Sequence, residues 1–159
     1  MEFKKVAVIG VGAAGFFAAI SVKENHPSHQ VILFEKTSKV LSKVRISGGG
    51  RCNVTHDCSD IPTLCDAYPR GGKKLKSIFY QFNINDTVDW FKTRGIPLKT
   101  ETDGRMFPIT DNSQSIIDCL ESEIKHLNVT LKFGQTIKNI EQDEKEWKLN
   151  FKDQPSQNF

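Results

Sequence analysis

Three glycines in "VIGVGAAGFF", Gly10, Gly12 and Gly15, punctuate an apolar run at the spacing G-x-G-x-x-G, which few folds can use. Residues 5–9, "KVAVI", form a short β-branched run suited to a strand buried on both faces. "FFAAISVKEN" then carries small and apolar residues at helical spacing and breaks at "HPSH"; "QVILFE" is a second buried strand, ending at Glu35. Strand, glycine turn, helix and strand in about 30 residues make a βαβ unit. That unit implies a parallel sheet joined by a right-handed crossover.

Each glycine has a separate physical role. Gly10 allows the tight turn out of the strand, Gly12 lets a pyrophosphate reach bare backbone, and Gly15 lets the helix pack close to the sheet. Ala13 and Ala14 complete the turn, and the helix points its unpaired N–H groups and positive dipole end toward phosphate. Glu35 stands about 20 residues beyond Gly15, where a carboxylate accepts hydrogen bonds from ribose hydroxyls and repels a 2′-phosphate. The bland alternative is a merely tightened turn beside a solvated Glu35. Strand, turn, helix and acid in register favour a dinucleotide site.

After Glu35 the rhythm stops. Residues 36–112 form a long insertion rich in Gly, Pro and polar residues. Within it "KKLKSIFYQF" and "DTVDWFKTR" read as helices, the second with Asn85 as N-cap and Gly95 as its stop. "GRMFPITDNS" reads as a loop leading to a helix near Ser113, with apolar positions at 116, 117, 120, 124 and 127. "VTLKF" at 129–133 is the delayed third parallel strand. Residues 136–142 and 146–152 read as a C-terminal β-hairpin around a charged turn. The expectation is an α/β fold with one dinucleotide-binding domain over 1–152 and a linker over 153–159.

The segment "KVRISGGGRCNVTH" raises its own question, because consecutive glycines are hard to order. Gly48, Gly49 and Gly50 can form a concave nest of N–H groups for an anion or approach a flat ring without Cβ atoms in the way. Arg51 can add a charge-assisted hydrogen bond to phosphate, and Lys43 or Arg45 positive potential. A mobile surface loop is the plain alternative. Proximity in sequence to Glu35 favours the cofactor edge of the sheet.

Composition limits the other classes. The 159 residues carry a formal charge of +3, with 38% hydrophobic and 26% charged residues, as in ordinary globular proteins. Lys and Arg are spread along the chain with no block of bases alternating with aromatics, so no nucleic-acid partner is expected. No apolar run reaches the length of a membrane span, and "MEFKKVAVIG" lacks the features of a signal peptide. A cytoplasmic chain with reduced cysteines is expected. Cys52, Cys58, Cys65 and Cys119 contain no CxxC pair, so no metal site is expected. Cys52 reads as a packing residue rather than a redox group. His26 and His29 flank Pro27 in a turn and read as solvated, while His56 and His126 have no visible partners. Arg105 reads equally as a contact to a bound ligand and as a loop arginine in a salt bridge. Phe79, Phe82, Trp90 and Phe91 sit at helical spacing and read as core.

"VIGVGAAGFFAA", "FEK", "KVRISGGGRCNVT" and "GRMFPITDNSQSIIDCL" together closely resemble the opening part of the HI0933-like family of bacterial FAD-binding flavoproteins. This family of NAD(P)/FAD-dependent oxidoreductases includes bile-acid reductase-like members. The resemblance spans essentially the whole chain, and "ISGGGRCNVT" is its most specific part. It implies a Rossmann-type domain that binds FAD, an unknown small-molecule substrate, and NAD(P)H as reductant. Gly10, Gly12, Ala13, Ala14 and Gly15 would face the pyrophosphate, and Glu35 with Lys36 the adenosine ribose. Lys43, Ser47, Gly48, Gly49, Gly50, Arg51, Cys52 and Asn53 would line the flavin side, and backbone near Thr136 and Ile137 the adenine. No catalytic residue is assigned. His56 stands where family members commonly have asparagine. They also continue well beyond this length, which implies that the chain is the opening portion of a longer protein.

Overall fold

The computed structural model describes residues 3–159. In chain order the elements are β1 (Lys5–Ile9), α1 (Ala13–Asn25), β2 (Gln30–Phe34), α2 (Ser42–Ile46), a 3₁₀ turn (Ser47–Gly50), β3 (Thr55–His56), α3 (Ile61–Asp66), α4 (Gly72–Phe79) and α5 (Ile84–Lys92). They continue with β4 (Leu98–Thr100), β5 (Arg105–Pro108), α6 (Ser113–His126), β6 (Thr130–Lys132), β7 (Ile137–Gln142), β8 (Trp147–Phe151) and β9 (Gln157–Asn158). The chain divides into two compact units, residues 1–43 with 120–159, and residues 44–119. The insertion after the second strand thus folds as a body of its own.

In the first unit β1, β2 and β6 form a parallel sheet in the order β1-β2-β6. The delayed third strand therefore joins the parallel sheet as expected, and the structure sets it next to β2. β2 is central, and Val31, Ile32, Leu33 and Phe34 are all buried, as expected of a strand covered on both faces. β1 was expected to be buried equally, but Val6, Ala7 and Val8 are only half-buried because it has a single ladder partner among the described residues.

Helix α1 packs on β1 and β2, burying Phe16, Ala19 and Ile20. On the sheet's other face, Ile32 and Phe34 pack against Leu149 and Phe151 of β8. Two residues apart, Ile32 and Phe34 point to the same side of the strand, which lets two β8 residues with the same spacing meet them. Phe159 seals this layer, its ring 5.7 Å from that of Phe34 in a T-shaped contact.

The expected hairpin is β7 and β8, and it carries a third strand. Residues 153–159, expected to be linker, bend back and pair β9 with β8, where Trp147 and Phe159 exchange backbone hydrogen bonds of 2.8 Å. Burial of Phe159 against Phe34 gives this tail an apolar anchor that a linker lacks.

The second unit holds an antiparallel sheet in the order β3-β5-β4, which the sequence reading missed. "GRMFP", expected to be loop, supplies its central strand, with Met106, Phe107 and Pro108 buried. The strand escapes notice because it is short and ends in proline, which pairs with Leu98 at the sheet's border. Leu64, Ile84 and Met106 centre its core, joined by Phe79, Val88 and Leu98.

The N-cap of helix α5 is Asn83 rather than Asn85. The Asn83 side chain accepts from the Asn85 N–H at 2.8 Å while the Asp86 carboxylate accepts from the Asn83 N–H at 2.7 Å, a reciprocal capping box. Gly95 follows the helix with φ +77°, as its stop. Phe91 is buried and Phe79 and Trp90 half-buried, whereas Phe82, expected in the core, reaches 36% exposure.

Candidate functional site

The glycine turn is built largely by backbone. Gly10 takes φ +95° and donates its N–H to the Phe34 carbonyl at 2.9 Å, tying the end of β1 to the end of β2. A Cβ on Gly15 would lie 2.0 Å from the Gly10 carbonyl oxygen, so the close approach of helix to strand requires glycine. Gly12 differs. It is the N-cap of α1 in extended conformation, and a Cβ there would meet nothing within 4 Å. No described residue demands glycine at that position. Gly12 offers no side chain to cap the helix, the first turn holds no acid, and Gly12, Ala13 and Ala14 are exposed. The helix thus presents uncapped N–H donors at an open surface.

Glu35 sits immediately after β2 and is held at this turn. Its Oε2 accepts from the Val11 N–H at 3.2 Å, and its Oε1 from the Thr37 N–H and hydroxyl, both at 2.9 Å. Partial burial opposes its charge, but the hydrogen bonds from Thr37 and Val11 and the nearby Lys36 outweigh it, so the carboxyl stays below its usual range. The Gln135 N–H donates to the Glu35 carbonyl at 2.8 Å, drawing the chain before β7 alongside.

A cavity of about 270 Å³ opens here, lined by Ile9, Gly10, Phe34, Glu35, Lys36, Gln135, Thr136 and Ile137. Five residues singled out from sequence, Gly10, Glu35, Lys36, Thr136 and Ile137, therefore share one concavity. It lies at the carboxyl ends of β1 and β2, the edge at which open α/β sheets bind ligands. Lys43 is exposed on α2.

Ser47 to Asn53 belong to the second unit, and there the triple glycine has an internal explanation. Gly48, Gly49 and Gly50 take φ values of +56°, +69° and +89°, a left-handed run costly for residues with a Cβ. A Cβ on Gly48 would also lie 2.7 Å from the Phe107 ring and 2.9 Å from the Asn53 nitrogen. Gly49 and Gly50 are sterically open. Cys52 is buried, also at positive φ (+65°), and its N–H donates to Ser47 O at 3.0 Å. Burial pushes its thiol up, against a smaller opposing hydrogen bond with Ser47, which suits packing rather than nucleophilic chemistry. Asn53 is exposed.

Arg51 was read as a phosphate ligand, but here it is engaged within the protein. Its guanidinium pairs with Glu101, lies 3.6 Å from Asp111, and stacks 4.0 Å over the Phe107 ring. Its Nε reaches Gly48 O at 3.4 Å, so the same side chain braces the glycine run. Lys99 pairs with Asp111, and Arg105 pairs with Asp103 at 2.8 Å and approaches Glu101 at 3.6 Å. Arg105 thus takes the salt-bridge role of its two readings. Glu101, Asp111 and Phe107 were not singled out from sequence; no local spacing connects them with Arg51, some fifty residues earlier. Val11 and Thr37, which fix Glu35, also went unnoticed, because they act mainly through backbone N–H groups.

Residues 4–158 match the HI0933-like protein Rossmann domain. The chain belongs to this family. It is 26% identical over 136 residues to a 3-dehydro-bile acid delta(4,6)-reductase of Clostridium scindens, a match covering 86% of this chain and 32% of that protein. It is 31% identical over 144 residues to a ribosomal RNA dihydrouridine synthase of Escherichia coli, covering 91% of this chain and 34% of the relative. The chain thus spans about a third of the length of these relatives. In fold it is similar to a 3-ketosteroid-delta4-(5alpha)-dehydrogenase of Rhodococcus jostii, with a TM-score of 0.65 at 14% identity, covering 94% of this chain and 42% of that one. No group of potential metal ligands occurs among the described residues, and no helix among them is long and apolar enough to cross a membrane.

Proposed function

We propose that the chain is the FAD-binding part of a flavin-dependent oxidoreductase that takes reducing equivalents from NAD(P)H. The observation that carries this reading is the open, side-chain-free Gly12 at the uncapped start of α1, beside a cavity that gathers Gly10, Glu35 and Thr136. Together these features fit an adenine dinucleotide: bare backbone for the diphosphate, an ionised carboxylate for the ribose, and a concavity for the adenosine end.

In this reading Gly10 to Gly15 bind the diphosphate through backbone N–H groups and the positive end of α1. Glu35, already oriented by Val11 and Thr37, accepts from the ribose hydroxyls, with Lys36 beside it. Backbone at Thr136 and Ile137 borders the adenine. Lys43 and Ser47 to Asn53 serve the flavin side, where Arg51 acts by bracing the glycine run. Bound flavin would supply two-electron transfer chemistry. In the net reaction the nicotinamide gives up a hydride, and an unsaturated acceptor gains two electrons and two protons, the second proton coming from solvent.

The first reading of the acceptor is a small molecule. The 31% identity to a ribosomal RNA dihydrouridine synthase favours a second, a uridine ring within RNA. A visible spectrum of the intact protein, recorded before and after NADH or NADPH, tests the central reading. Flavin absorbance bleached by one of them is the expected result. A colourless protein that binds NAD would make it a nicotinamide dehydrogenase instead, and a yellow protein that neither nucleotide bleaches would make it a non-catalytic module.

A further inference from the structure

We propose that the cleft between α3 and α4 in the second unit is a docking surface for single-stranded RNA. This rests on the reading of a flavin reductase acting on a uridine ring in RNA. The linear sequence shows no block of alternating bases and aromatics, but helix α4 and its C-cap bring two lysines and a tyrosine to one side. With 3.6 residues per turn, positions three and seven apart share a face, so Lys73, Lys76 and Tyr80 align along one side of α4. All three are exposed, Tyr80 to 64%.

The charge on this face is largely uncompensated. From Ala67 to Asn83 the chain carries Arg70, Lys73, Lys74 and Lys76 and no acidic residue. None of these four enters an ion pair among the described residues, although the field of Lys76 reaches Asp60. Among the described residues, Asp66 is the one acid lining the cleft. Close packing builds the concavity: Gly72 is buried, and a Cβ there would lie 2.2 Å from the Cys65 carbonyl oxygen, so the start of α4 is pinned against the end of α3. The cleft beside this junction has a volume of about 620 Å³ and is lined by Lys73, Lys74 and Lys76.

Ammonium groups lining a groove, with the exposed Tyr80 ring beyond them at the C-terminal end of α4, match the two needs of a single strand, phosphate neutralisation and base stacking. A lipid surface fits less well. It calls for a continuous apolar face, and exposed Ile78 projects from a different side of α4 than Lys73, Lys76 and Tyr80.

Fluorescence anisotropy of the intact protein with a labelled uridine-rich RNA of about 12 nucleotides, a length within a single-strand site, tests the surface. Binding should weaken with salt, and the double variant Lys73→Gln/Lys76→Gln should lower the log–log salt slope by about 1.4, about 0.7 for each lost phosphate contact. Tyr80→Ala should weaken binding roughly 5- to 100-fold through lost stacking. The matched control Lys145→Gln/Lys148→Gln should leave RNA binding unchanged, and flavin content should hold in all variants. Equal weakening by both double variants would overturn the proposal, as would association with phosphatidylserine vesicles but not RNA, or loss of flavin from the Lys73/Lys76 variant. The two readings fail separately. A yellow protein that ignores RNA refutes the docking surface alone, whereas a colourless protein that binds RNA through this face refutes the flavin reading alone.

Discussion

Substituting alanine at Gly12 and at Gly15 separates what the fold needs from what the ligand needs. At Gly15 the new methyl would sit 2.0 Å from the Gly10 carbonyl oxygen, about 1.5 Å inside ordinary contact. Neither partner is a flexible side chain. The oxygen belongs to a turn fixed by the hydrogen bond from Gly10 to Phe34, so α1 must move off the sheet. Overpacking of this kind costs about 1–3 kcal/mol, and backbone against backbone places it at the upper end. Alanine's better helix propensity returns about 1 kcal/mol. The net loss of about 2 kcal/mol should lower Tm by roughly 4–8 °C in a chain of this size. At Gly12 the methyl meets no atom of the described residues, and the weaker N-cap costs about 0.5 kcal/mol, or roughly 1–2 °C. The same methyl would keep a diphosphate from the backbone donors. Losing one charge-assisted hydrogen bond of about 1.5–3 kcal/mol should weaken FAD binding roughly 10- to 100-fold. Thermal melting of the flavin-free protein, paired with flavin titration, checks both. Equal destabilisation by the two variants, or wild-type FAD affinity in Gly12→Ala, would refute the reasoning.

Further outcomes follow from the same contacts. Asn83→Ala should destabilise by about 0.5–2 kcal/mol while Asn85→Ala stays near neutral in urea melts, because only Asn83 caps α5; the reverse order would restore Asn85 as the cap. Cys52 should resist iodoacetamide in the folded protein at neutral pH, and Cys52→Ala should retain flavin reduction, since the thiol is buried and pushed up. Rapid alkylation at that position, read by peptide mass, would count against a packing role. For Glu35 the folded pKa lies below the ordinary value, so its stabilising contribution is present above the usual carboxylate range and is lost as pH falls through the folded value. The stability difference between wild type and Glu35→Gln should therefore hold from pH 8 to about pH 5 and shrink toward about pH 3; a difference that grows on acidification would contradict the hydrogen bonding described. Glu101→Gln should speed amide exchange at Gly48 to Cys52 by loosening Arg51, and unchanged exchange there would show that the brace is dispensable.

The first βαβ unit was legible because each of its parts follows from local chemistry. A strand covered on both faces reads as an unbroken apolar run, and "QVILF" is one. Gly10 and Gly15 meet backbone constraints that no other residue satisfies as well. The insertion was less legible. Its strands are two to four residues long, too short for alternation to declare itself, and Phe107 is buried against a glycine nearly sixty positions earlier. The α5 cap was available in principle, since Asp86 three residues after Asn83 is the capping-box signal and nothing similar follows Asn85. The β9 tail gave no such signal, because "DQPSQNF" has a single apolar anchor whose partner lies on β2. Arg51 shows a different limit: its charge suggested a ligand, while its partners Glu101 and Asp111 are supplied by a hairpin and loop that sequence reading had not formed.

Hydrogen–deuterium exchange of the intact protein with and without FAD probes the glycine turn and the Glu35 segment themselves. FAD should slow exchange most at the amides of Gly10 to Gly15 and in the segment from Glu35 to Thr37. Bound FAD that leaves both segments unchanged would contradict it.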